Sequence, residues 1–97
     1  MQLLRIYYAY FSPGNTTEKV VSHIASSFQN YPVESINLTD YATRQEDYYF
    51  KENELLIIGV PAYGGRVPAP VVDALRHFTG SNTPVVLVAT YGNRDID

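Results

Sequence analysis

The chain has 97 residues, of which 45% are hydrophobic and 18% charged, and its formal net charge at pH 7 is −3. This length suits one globular domain, since domains commonly run from ~50 to ~250 residues, and the absence of Cys excludes a disulfide scaffold and thiolate-ligated metal sites. The negative charge and the scattered Lys and Arg residues argue against nucleic acid as a partner, because duplex binding depends on clustered cations.

The first predicted strand covers residues 3–11, an apolar and aromatic-rich run that contains one Arg. Such a continuous run is typical of a central strand in a parallel sheet. The run carries Arg5 and has no small-residue cleavage site, so it does not indicate a signal peptide. No apolar run in the chain approaches the ~20 residues of a membrane span. We therefore expect a cytoplasmic protein without a membrane partner.

A helix is predicted next, over residues 18–28, because the apolar residues at 20, 21, 24, 25 and 28 form one stripe. Residues 12–17 supply turn formers, and Thr16 or Thr17 is the predicted N-cap. A second strand, at the edge of the sheet, is predicted over residues 33–38. Residues 39–53 are polar and charged, so we expect at most a short helix there.

The third predicted strand covers residues 54–60, where an unbroken apolar run is typical of a strand buried on both faces. A loop follows at residues 61–68, then a second helix at 69–78. The fourth predicted strand covers residues 85–90, and a loop begins at residue 91. Strands that alternate with helices predict parallel βαβ units and a doubly wound α/β sheet, here a single domain over residues 1–97.

The loop after the first strand is a candidate phosphate site. It offers Ser12, Asn15, Thr16 and Thr17 at a helix start, where unpaired N–H groups and the helix dipole favour an anion. No basic residue lies between Arg5 and Lys19, which distinguishes the loop from a nucleoside-triphosphate P-loop. A phosphate would therefore be held by neutral donors. The alternative is that residues 12–17 are only a turn and a helix cap.

The loops after the third and fourth strands each place a Tyr beside Gly, as Tyr63-Gly64-Gly65 and Tyr91-Gly92-Asn93. In an open parallel sheet, ligands bind beyond the carboxyl ends of the strands, so these loops and the first one meet at one edge. The two rings would stack on a flat ligand while the glycine backbone approaches its edge. Alternatively, they are ordinary rim aromatics. A phosphorylated, planar ligand fits all three loops, and flavin mononucleotide (FMN) is the commonest such cofactor.

Residues 10–20, 59–68 and 88–94 resemble the flavodoxin-like family, and the last two segments look most like its domains found alone or joined to ferredoxin-type modules. The resemblance implies a flavodoxin-like doubly wound parallel sheet, truncated to about four strands in the order 2-1-3-4, with helices on both faces. It implies that FMN is bound without a catalytic side chain or a metal. The implied FMN-binding residues are Ser12, Gly14, Asn15, Thr16, Thr17, Pro61, Ala62, Tyr63, Gly64, Gly65, Tyr91, Gly92 and Asn93.

The function that this resemblance implies is electron transfer, with a redox protein or an NAD(P)H-linked donor as partner. Domains of this family have a five-stranded sheet, whereas only four strands are predicted here. The resemblance therefore implies that the C-terminal strand and helices are missing. We then expect an exposed apolar edge that a second copy or a partner chain covers. Its residues are Val85, Val86, Leu87, Val88 and Ala89. The alternative function is a flavodoxin-fold interaction or structural module that does not bind flavin.

Overall fold

The computed structural model describes residues 3–91 of the chain. Its elements in chain order are β1 (Arg5–Tyr10), α1 (Thr16–Ser26), β2 (Val33–Asn37), α2 (Tyr41–Arg44), β3 (Tyr48–Tyr49), β4 (Glu54–Ala62), α3 (Ala69–Leu75), β5 (Phe78–Thr79) and β6 (Val85–Tyr91). No helix among these residues is long and apolar enough to cross a membrane.

The four longer strands form one sheet in the order β2-β1-β4-β6, and every neighbouring pair is parallel. Counted without the two-residue strands β3 and β5, this is the predicted order 2-1-3-4. Helices lie on both faces of the sheet, so the predicted doubly wound α/β fold is confirmed, and its strand order is compatible with a flavodoxin-like sheet. The parallel arrangement brings the carboxyl ends of β1, β4 and β6 to one edge.

Alternate residues of each strand pack on opposite faces, as the period of two requires. On one face, Ile6, Tyr10 and Ile57 contact Val21 and Ala25 of α1. The second core lies on the other face, where α3 packs against β1 and β4. Its buried members include Ala9, Ile36, Leu38, Phe50, Leu56, Ile58, Val60, Val71 and Ala74.

Gly59 in β4 lets α1 lie close against the sheet. A Cβ atom at this position would overlap the Cγ1 atom of Val21 and lie 3.0 Å from the Cγ2 atom of Thr17. Any side chain here would therefore push the first turns of α1 away from β4. Because Thr17 belongs to the first turn of α1, Gly59 also sets the distance between the helix start and the strand ends.

The start of α1 differs from the prediction. The helix begins at Thr16, and its N-cap is Asn15, which has a φ of 66° and makes no side-chain capping bond. Thr16 and Thr17 are therefore helical residues rather than caps. Asn tolerates this left-handed conformation better than Thr, whose branched Cβ crowds the backbone. The capping acceptor comes instead from Ser12, whose Oγ accepts from the N–H of Glu18 at 2.9 Å.

A small second sheet lies where only a short helix and a helix end are predicted. β3 pairs with β5 in parallel, Tyr48 opposite Phe78 and Tyr49 opposite Thr79. The ring of Phe78 packs against Tyr48 and against Phe50, each with a centroid distance of 5.3 Å. The second predicted helix accordingly ends early, at Leu75. Burial of three aromatic rings, a long-range effect, outweighs the local pattern.

Candidate functional site

A small cleft opens at the carboxyl ends of β1, β4 and β6, with a volume of about 120 Å³. We call it the carboxyl-end cleft. It is lined by Ser12, Pro13, Gly14, Thr16, Thr17, Pro61, Tyr63, Thr90 and Tyr91. All three loops singled out in the sequence contribute to this lining, so the topology brings them together as parallel strands require.

The predicted site residues fall into three groups. Those that line the cleft are Ser12, Gly14, Thr16, Thr17, Pro61, Tyr63 and Tyr91. The predicted residues that the lining leaves out are Asn15, Ala62, Gly64 and Gly65. Gly92 and Asn93 lie outside the described residues.

Ser12 fixes the first loop against its surroundings. Its side chain is buried, its N–H donates to the Oγ1 atom of Thr39 at 2.8 Å, and its Oγ accepts from the N–H of Glu18. A hydroxyl can donate while it accepts, so the O–H hydrogen of Ser12 is left for another acceptor. These contacts hold the loop in place and leave the Ser12 hydroxyl able to donate a hydrogen bond.

The first turn of α1 carries further unused donors. The backbone N–H groups of Thr16 and Thr17 have no acceptor among the described residues, as is usual at a helix start. Because α1 has 11 residues, its dipole adds positive potential at this end. The helix start and the Ser12 hydroxyl together present donors to the same cleft.

Thr90 is a lining residue that the sequence analysis missed. Its Oγ1 atom lies 2.8 Å from that of Thr17, and the two hydroxyls share a hydrogen bond between β6 and α1. Two lining residues that are 73 positions apart in the chain are therefore joined directly. The sequence signal that could have identified Thr90 is its position: it is a hydroxyl residue directly before Tyr91, at the carboxyl end of an apolar strand.

A tight two-residue turn positions Tyr63. Tyr63 and Arg66 exchange backbone hydrogen bonds of 2.9 and 3.0 Å, and Gly64 and Gly65 between them have φ values of 60° and 81°. Two successive positive φ values define a type I′ turn, which glycine adopts without strain. The two glycines are thus required by the turn that holds Tyr63 at the cleft.

The two tyrosines differ in how far they are covered. Tyr63 is 39% exposed, whereas Tyr91 is 77% exposed. Both side chains line the cleft and still offer a ring surface to a ligand. None of the cleft's lining residues within the described range 3–91 carries a charged side chain. Next to the first loop, burial and then the nearby Glu18 raise the pKa of the Tyr10 phenol, so Tyr10 is neutral as well.

Comparison with known proteins gives one partial similarity. Two curated proteins named Ribonuclease Z, from Staphylococcus aureus strains MSSA476 and MW2, are each 42% identical to this chain over 48 residues. The matched part is 50% of this chain and 16% of each Ribonuclease Z, so the chain spans a small fraction of these relatives. No family model matches the chain, and no solved structure matches it.

The prediction that the chain belongs to the flavodoxin-like family is therefore wrong. No family model supports it, and the curated proteins that match have another name. Half of the residues in the motifs that suggested it are Gly, Pro, Ser, Thr or Asn. Such residues suit turns and helix starts at the carboxyl edge of many parallel sheets. The fold class stands on the strand order itself.

Proposed function

We propose that the chain binds FMN at the carboxyl-end cleft and acts as an electron-transfer or redox module. The observation that carries the proposal is the convergence, in one cleft, of the donor-rich start of α1 with two exposed tyrosines. The proposal depends on this geometry and not on family membership. Bound FMN would supply the redox chemistry, and the residues of the chain would bind and orient it.

The phosphate end of the ligand is assigned to the first loop. The N–H groups of Thr16 and Thr17 and the O–H of Ser12 have no acceptor within residues 3–91, and the dipole of α1 favours an anion there. Hydrogen bonds to a charged phosphate are roughly twice as strong as neutral ones. Such donors can therefore hold a phosphate without a cation from the described residues that line the cleft.

The ring end of the ligand is assigned to Tyr63 and Tyr91. A cleft of about 120 Å³ is smaller than the ~300–1,000 Å³ of an enclosing small-molecule pocket. The cleft can thus hold a phosphate-sized group, and the flavin ring would lie against the exposed tyrosine faces. Offset stacking of aromatic rings stabilises such an arrangement.

The charge of the described lining also bears on the reduction potential. Reduction adds negative charge to a flavin, and the described residues that line the cleft include no cation to compensate it. The net charge of −3 on the whole chain acts in the same direction. We therefore expect bound FMN to have a lower reduction potential than free FMN.

The proposal is tested by titrating the protein with FMN and, separately, with riboflavin, while flavin fluorescence is recorded. FMN should bind more tightly than riboflavin because only FMN carries the phosphate. Tyr63→Ala and Tyr91→Ala should each weaken FMN binding roughly tenfold, since a stacked ring contributes about 1–3 kcal/mol. Tyr49→Ala is the matched control, because Tyr49 is also exposed but lies in β3, outside the cleft. Equal affinity for the two flavins would contradict the assigned phosphate site.

A second candidate function is an interaction module that does not bind flavin. The observation that favours it is the edge of the sheet at β6, where Val85, Val86 and Leu87 are 52%, 43% and 65% exposed. Natural edge strands usually carry protection against pairing. Self-association without any flavin binding would favour this candidate over the first.

A further inference from the structure

A second depression adjoins the carboxyl-end cleft on the α3 side of the sheet. We call it the α3 groove. It is broad and open, its volume is about 690 Å³, and its lining includes Phe11, Tyr63, Arg66, Val67, Val72 and Arg76. Tyr63 lines both the groove and the cleft. An occupant of the groove would therefore lie beside the ring that we assign to the flavin.

The described lining of this groove has an excess of positive charge. Arg66 and Arg76 are exposed, and neither forms an ion pair with a carboxylate within residues 3–91. Asp73 supplies the opposing charge in the lining. Arg44 lies outside the lining: its guanidinium is 5.8 Å from the ring centroid of Phe11 and donates to the carbonyl oxygens of Leu38 and Thr39. The described lining thus carries two arginines against one carboxylate, on a chain whose net charge is −3.

The middle of the groove is apolar. Val67 is 41% exposed and Val72 is 44% exposed, so two branched side chains present carbon surface between the two arginines. An apolar centre with an aromatic ring and arginines is the composition typical of protein–protein contact surfaces. The open shape also favours a protein, because small-molecule sites enclose most of their ligand.

We propose that the α3 groove is the docking surface for a protein partner with an acidic rim and an apolar centre. This inference rests on the proposed function, because it identifies the chemistry of the partner that approaches the flavin. Charge complementarity assigns the partner's carboxylates to Arg66 and Arg76, and the two valines pack against its apolar centre. Cations at the rim mainly raise the rate of association and make it dependent on salt.

The test is a titration of the ¹⁵N-labelled chain, followed by NMR, with each of two small haem proteins. Cytochrome b5 serves as the acidic probe and cytochrome c as the basic probe. Cytochrome b5 should shift the amide signals of Arg66, Val67, Val72 and Arg76, and added salt should weaken the effect. The double variant Arg66→Glu/Arg76→Glu should weaken binding at least roughly tenfold, because like charges then oppose each other. Lys51→Glu is the matched control, since Lys51 is exposed and lies before β4, outside the groove lining.

Each outcome decides the proposal. Shifts confined to the groove, lost in the double variant and kept in Lys51→Glu, support it. No binding of cytochrome b5, binding elsewhere on the surface, or preference of the groove for cytochrome c overturns it. The titration is run with and without added FMN. If cytochrome b5 binds at the groove but the chain does not bind FMN, the docking surface is supported and the flavin site is rejected.

Discussion

Thr17 connects the core, the first helix and the candidate site. Its methyl group faces the position where Gly59 lacks a side chain, and its hydroxyl bonds to that of Thr90. The same residue therefore contributes to packing of α1 on the sheet and to the lining of the cleft. A role of this kind is not visible in the sequence, where Thr17 reads as one hydroxyl among several in a turn.

Substitution of Gly59 tests this residue-scale account. Gly59→Ala should lower the free energy of unfolding by about 1–3 kcal/mol, because the added methyl group overlaps Val21 and forces α1 away from β4. Urea denaturation measured by circular dichroism checks this value. Gly14→Ala is the control, since a Cβ atom at Gly14 meets no heavy atom within 4 Å. Equal stability of the two variants would contradict the close approach of α1 to β4.

At the scale of elements, the short helix α2 depends on its N-cap. The Asp40 carboxylate accepts from the hydroxyl of Thr43 at 2.7 Å and from the Thr43 N–H at 3.0 Å. These two bonds favour the charged form and lower the pKa of Asp40 below its usual value of 3.8. A carboxyl whose pKa is lowered by folding stabilises the fold above its unfolded pKa, and this contribution is lost as the pH falls through the folded pKa.

Asp40→Asn isolates this effect, because Asn can cap the helix but does not titrate. At pH 7 the natural chain should melt at a higher temperature than Asp40→Asn, and the difference should disappear as the pH falls well below 3.8. Thermal unfolding at a series of pH values, followed by circular dichroism, measures the difference. Other carboxyls titrate equally in both proteins. A difference that does not change with pH would show that the charge of Asp40 has no part in capping α2.

The elements also show what the sequence could and could not predict. β1 and β4 are predictable because each is a continuous apolar run that only a buried strand accommodates. β3 and β5 have two residues each and no pattern of their own, and they depend on the contacts of Phe78 with Tyr48 and Phe50. In the candidate site, the positions of the three loops could be predicted from the strand order. The part that Thr90 plays could not, because it depends on the long-range contact with Thr17.

At the scale of the whole molecule, the two edges of the sheet differ in protection. β2 carries Glu34, which forms an ion pair with Arg5 at 3.1 Å. A charged residue on an edge strand opposes pairing with a strand of another chain. β6 has no charged residue, and Leu87 on it is 65% exposed. We therefore expect this edge to associate, with a second copy or with a partner chain.

Leu87→Lys should reduce that association, because an exposed Lys on an edge strand opposes pairing with another strand. Sedimentation velocity over a range of protein concentrations should show a concentration-dependent oligomer for the natural chain and mainly monomer for Leu87→Lys. Leu4→Lys is the matched control, since Leu4 is also exposed but lies outside β6. A natural chain that stays monomeric at all concentrations would reject self-association through this edge.

The central claim is that the carboxyl-end cleft binds FMN, and the most direct measurement is the visible absorption spectrum of the protein after mixing with FMN and removal of free flavin. The account predicts flavin bands that remain with the protein at one FMN per chain. A spectrum without flavin bands, from a chain shown to be folded by circular dichroism, would contradict it.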